Sequence, residues 1–96
     1  MKSVPFKTLD HLKTRKDIVA YLNAALEDGE PAVLLEALRN VAQAKGGIGT
    51  LAKAAGVSRE SLYRTLSRRG NPKIDTVMAL LRAMGLKLSI DQRKAA

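Results

Sequence analysis

Ninety-six residues suit one small domain, 1–96, and the absence of cysteine excludes both a disulfide framework and a thiolate metal site. No run approaches the roughly 18 consecutive apolar residues of a membrane span, and nothing resembles a signal peptide, so a cytoplasmic protein is expected. The formal charge of +8 is uneven: residues 1–30 hold five basic and five acidic side chains, residues 31–96 twelve and four. A neutral front and a basic back point to two binding surfaces, the second for a polyanion.

The first dozen residues have no firm period, and Pro5 argues against a helix there. Segments 1–13 and 91–96 are expected to be flexible. Thr14, followed three residues later by Asp17, has the form of a helix cap with an acid in the first turn. Ile18, Tyr21, Leu22, Ala25 and Leu26 then predict a helix ending near Asp28-Gly29. Pro31 suits the first turn of a second helix, whose apolar stripe is Val33, Leu34, Ala37, Leu38, Val41 and Ala42, and Gly46-Gly47 stops it.

Gly49 or Thr50 opens a short third helix that ends at Gly56, where glycine permits a left-handed turn. Ser58 caps a fourth helix from about Arg59 to Leu66 or Ser67. The small apolar face of Leu51, Ala52 and Ala55, and the face of Leu62 and Leu66 beyond the turn, suit two helices crossing steeply. That is a helix-turn-helix over approximately residues 50–67. Ser-Arg-Arg-Gly-Asn-Pro at 67–72 is a turn by composition. A fifth helix, about Ile74 to Met84, is expected to use Ile74, Val77, Met78, Leu81 and Met84 as its inner face, and Gly85 ends it. Leu86, Leu88 and Ile90 alternate with Lys87 and Ser89, the period of a short C-terminal strand. A lone strand needs a partner, and a symmetry mate in a dimer, or another protein, supplies one.

With Leu62 and Leu66 inward, a 3.6-residue period leaves Arg59, Glu60 and Arg64 outward, flanked by Ser61 and Thr65. Arg59 lies in the first turn, where a recognition helix enters the major groove, and its planar fork suits guanine O6 and N7. Glu60 either accepts from cytosine N4 or orients Arg59; Arg64 reaches a base edge or a phosphate. Tyr63 either packs at the core boundary or touches a phosphate through its hydroxyl. Thr50, Lys53, Ser58, Ser61, Arg68, Arg69, Asn71 and Lys73 are candidate backbone contacts, positioning the protein without reading sequence. Six basic residues and one acid between Lys53 and Lys73 separate this surface from an ordinary solvated helix face.

No catalytic constellation accompanies it. His11, the single histidine, has no paired carboxylate nearby, and Gly46-Gly47-Ile48-Gly49 lacks the strand and the Gly-Lys-Ser/Thr ending of a phosphate loop. Ser58, Ser61 and Tyr63 have no base in sequence reach. Neither an enzyme nor a cofactor or metal is expected.

GVSRESLYRTLSRRGNP followed by DTVMALLRAMGLKLS resembles the addiction module antidote proteins. These are HigA-like antitoxins within the phage-repressor-type (Xre/Cro-type) helix-turn-helix regulators. The likeness extends to the front through DIVAYLNAALEDGEPAVLLEALRNVAQAKG, and so covers roughly residues 6–90. The resemblance implies an all-α, five-helix lambda-repressor-like DNA-binding domain that dimerises on an inverted repeat in its own operator. It also implies a cognate RelE/ParE-type (HigB-like) toxin that the protein neutralises. The family's recognition segment maps onto Ser58 to Leu66 and its basic turn onto Ser67 to Pro72. Two departures stand out: Gly49, where a serine cap is common, and Gly46-Gly47, where Arg-Gly is usual. The first loses a cap and the second a phosphate contact. With the basic half committed to DNA, Asp17, Glu27, Asp28 and Glu30 are candidates to meet a basic toxin surface, and Tyr21 and Leu22 to supply apolar contact. A stand-alone repressor without a toxin, and an interaction module that has lost DNA binding, are the rival readings.

Overall fold

The computed structural model describes residues 12–67 and 69–92, and within them the chain is all-α, a bundle of five helices. The first, α1 (Arg15–Asp28), begins on the expected capping box. The Thr14 hydroxyl accepts from the Asp17 N–H at 3.1 Å, and the Asp17 carboxylate accepts from the Thr14 N–H at 3.1 Å. These two bonds satisfy donors that a helix start leaves without intrahelical partners. Gly29 closes α1, and α2 (Pro31–Ala44) starts directly with proline in its first turn. Leu12, within the stretch 1–13 expected to be flexible, is buried in the core.

The central helix is α2. It buries Leu35, Ala37, Leu38, Asn40, Val41 and Ala42, and packs against α1 on one side and α3 (Ile48–Ala55) on the other. Its one buried polar side chain, Asn40, is 8% exposed and donates through Nδ2 to the Tyr21 hydroxyl at 2.6 Å. A buried amide without such a partner is costly, so this bond fixes how α1 lies on α2.

The α3 helix starts one residue ahead of the expected Gly49, with Gly47 as its cap, so Gly49 is a helical residue and not the cap. Gly56, at φ 74°, takes the left-handed conformation, and three residues join α3 to α4 (Arg59–Thr65). Leu62 and Leu66 are almost wholly buried and meet Leu38 and Val41 of α2 and Leu80 of α5 (Ile74–Ala83) in one apolar core. Burying each leucine contributes roughly 1.5–3 kcal/mol, which holds α4 with its other face outward.

Two expectations need correction. The inner face of α5 is Val77, Leu80, Leu81 and Met84, because the helix packs on α3. Ile74 and Met78, expected inside, are 67% and 45% exposed. Leu26, likewise expected inside, lies exposed near the end of α1. Residues 86–92 form no strand in the single chain, and among the described residues no other strand exists to pair with them. Leu86 packs partly on the core, whereas Leu88 and Ile90 face solvent. Among the described residues no helix is long and apolar enough to cross a membrane.

Candidate nucleic-acid interface

Folding α4 onto its leucines decides what the opposite face presents. Arg59, Glu60, Tyr63 and Arg64 are all exposed, and Ser61 and Thr65 lie half-buried at the edges. The three residues expected to read bases are therefore all open to solvent. Ser58 is the N-cap: its Oγ accepts from the Ser61 N–H at 3.1 Å, a bond that starts the helix and ties both serines to α4 geometry.

Arg59 does not extend freely into water. Its Cζ lies 5.6 Å from the centre of the Tyr63 ring, one helical turn on. A Cβ placed at Gly49 would lie 3.7 Å from Arg59 Cδ and 4.0 Å from Nε, so the arginine stem crosses the start of α3. Among the described residues Glu60 makes no ion pair with Arg59, and the side chain against the guanidinium is the Tyr63 ring. Tyr63 is 41% exposed and so belongs to the outer surface rather than to the core.

The candidate backbone contacts outside α4 are open to solvent as well. Thr50, Lys53, Arg69, Asn71 and Lys73 are all exposed, while Arg68 lies outside the described residues, as do His11 and, of the ends expected to be flexible (1–13 and 91–96), residues 1–11 and 93–96. The Thr50 hydroxyl donates to the Gly46 carbonyl at 3.0 Å, which closes the turn before α3. After α4 the chain turns tightly, the Gly70 N–H donating to the Ser67 carbonyl at 2.8 Å. Glycine is required at 70 because a Cβ there would collide with the Thr65 carbonyl, whose carbon is 2.7 Å away.

One residue of evident importance to this surface was not singled out from sequence. Arg39, half-buried on α2, donates from Nη1 to the carbonyl of Leu66, the C-cap of α4. A cation at a helix C-terminus satisfies an orphan carbonyl and complements the helix dipole. Its single advance signal is an arginine next to the buried positions 38 and 40–42 of an apolar helix.

The front surface is different. Glu27, Asp28 and Glu30 are exposed where α1 turns into α2. Leu22 is 5% exposed and belongs to the core, so it cannot supply the apolar contact considered for it. Tyr21 is half-buried with its hydroxyl engaged by Asn40, and Asp17 is engaged in the α1 cap. The acidic surface thus reduces to the α1–α2 corner, with Leu26 exposed beside it. Among the described residues no cluster of histidine and carboxylates could hold a metal ion.

Over residues 2–92 the chain matches the family described as "Probable addiction module antidote protein". It belongs to that family. This agrees with the resemblance to HigA-like antitoxins, and it makes the antidote-family chain a non-catalytic regulatory protein. An uncharacterized protein of Haemophilus influenzae (strain ATCC 51907 / DSM 11121 / KW20 / Rd) is similar to it, 36% identical over 91 residues that span 95% of this chain and 93% of the relative. No solved structure matches the chain.

Proposed function

We propose that this antitoxin binds its own operator as a two-fold dimer, with α3 and α4 acting as a helix-turn-helix, and that it neutralises a RelE/ParE-type toxin. The observation that carries the DNA reading is the solvent-exposed side of α4: Arg59, Glu60 and Arg64 are all open while Leu62 and Leu66 are buried. Lys53, Arg68, Arg69 and Lys73 supply cations on the flanks for phosphates. In the lambda-repressor-like arrangement α4 would enter the major groove, and two copies about 34–36 Å apart would read an inverted repeat. The exposed Leu88 and Ile90, beside the half-buried Leu86, support pairing of residues 86–90 with a second copy. Toxin contact is assigned to Glu27, Asp28 and Glu30, an acidic corner remote in sequence from the basic segment and suited to a cationic partner.

Substitution separates the two kinds of DNA contact. Arg59→Ala should abolish preference for the promoter over scrambled duplex while leaving non-specific binding nearly intact. Arg69→Ala should weaken both and lower the salt slope by about two units, one for each protomer of the dimer. Equal affinity of the wild type for the two duplexes would refute sequence-specific binding. For the toxin, the product of the adjacent gene should co-purify with the wild type and be lost from a folded Glu27→Lys, Asp28→Lys variant. Retention by that variant would move the toxin surface elsewhere, and no co-purification at all would favour a stand-alone repressor.

A further inference from the structure

Resting on the DNA reading above, we infer that Tyr63 is a specificity-determining residue that acts through its ring, holding the Arg59 guanidinium in position for a base edge. Arg59 is braced on two sides. Its guanidinium carbon lies 5.6 Å from the Tyr63 ring centre, and its stem runs over Gly49, where a side chain's Cβ would already be in contact at 3.7 Å. Gly49 is helical and does not have a positive φ, so its backbone conformation does not demand glycine. What its missing side chain provides is a clear path for the arginine.

The chemistry favours the ring over the hydroxyl. A guanidinium within about 6 Å of an aromatic centroid is attracted to the ring face, and its N–H donors radiate in its own plane, so an aromatic against one face leaves that fork able to meet guanine O6 and N7. Free arginine side chains lose rotamer freedom on docking, and a pose held before docking reduces that loss. At an exposed site such a contact corresponds to about two- to fivefold in affinity. A dimer carries two such pairs, so operator binding should feel about five- to 25-fold.

The test is fluorescence anisotropy on a promoter duplex and a scrambled duplex, with wild type, Tyr63→Leu, Tyr63→Phe, Arg59→Ala and the Arg59→Ala/Tyr63→Leu double variant. Tyr63→Leu should lower the promoter-to-scrambled ratio about five- to 25-fold, with scrambled affinity and salt slope unchanged. Tyr63→Phe, which keeps the ring, should stay within about twofold of wild type. In the Arg59→Ala background Tyr63→Leu should have no further effect on the ratio. Gly49→Val, which crowds the stem, should lower the ratio, and Gly49→Ala should preserve it. If Phe loses as much as Leu and the salt slope drops, the hydroxyl contacts phosphate and the inference is overturned. An equal loss from Tyr63→Leu with and without Arg59 overturns it as well. A wild type that discriminates, with Arg59→Ala abolishing the discrimination and Tyr63→Leu leaving it intact, overturns this inference alone. A wild type without promoter preference overturns the DNA reading itself.

Discussion

Arg39→Met would keep most of the apolar stem on α2 and delete the donor that closes α4. The Leu66 carbonyl would then lose its charged partner at the end of a seven-residue helix, about two turns long, which has few other bonds to hold it. Hydrogen bonds to charged groups contribute about 1.5–3 kcal/mol, and the half-buried setting of Arg39 places this one near the lower end, about 1.5 kcal/mol. For a chain of this size each kcal/mol moves Tm by about 4–8 °C, so the variant should melt roughly 6–12 °C below wild type. Thermal denaturation followed by circular dichroism measures this directly. Arg39→Lys should recover part of the loss, since an ammonium can reach the carbonyl but lacks the rigid fork. A Met variant melting within about 1 °C of wild type would show that Arg39 does not secure α4.

Four other substitutions test the account locally. Gly70→Ala should destabilise by at least about 2 kcal/mol in urea unfolding, because the Thr65 backbone must move, whereas Gly49→Ala should be neutral or stabilise by about 0.5 kcal/mol. Thr14→Ala removes the acceptor of the α1 cap and should cost about 1 kcal/mol, with amide exchange rising in the first turn of α1. Tyr21→Phe leaves the Asn40 amide without its oxygen and should cost about 1–2 kcal/mol while promoter affinity of the folded protein stays unchanged.

Local signals in the sequence located the helices well, because each boundary rests on a neighbouring residue. Thr14 with Asp17, Pro31, Gly56 and Ser58 work within three or four positions of the structure they start or stop. The outward face of α4 was legible for the same reason, since Leu62 and Leu66 leave one way to orient a short helix. Helix α5 was harder. It has apolar residues at 74, 77, 78, 80, 81 and 84, enough for two overlapping faces, and periodicity does not choose between them. Contact with α3 does, turning the true face roughly 45° from the expected one, so that Leu80 enters and Met78 leaves. The alternation of Leu86, Leu88 and Ile90 is a genuine strand period, yet a strand exists only through its ladder, and the chain offers it no partner among the described residues.

The contacts that organise the site were the least legible. Arg39 reaches Leu66 across 27 positions, and Tyr21 reaches Asn40 across 19. Gly49 meets Arg59 only because α3 and α4 fold back on each other across the turn. None of these pairs leaves a local pattern, since each depends on how whole helices pack.

The most direct test of the central claim, that the α4 face and its flanking cations bind operator DNA, is a titration of wild-type protein on its promoter duplex at 50 and 200 mM salt. Lys53, Arg68, Arg69 and Lys73 supply four phosphate-seeking cations per protomer, eight per dimer, which gives an expected slope of log affinity on log salt of about −7 and a loss of about 10⁴-fold between the two concentrations. Scrambled duplex should bind far more weakly, with a slope that persists. Promoter binding that is insensitive to salt, or no tighter than binding to scrambled duplex, would contradict the claim.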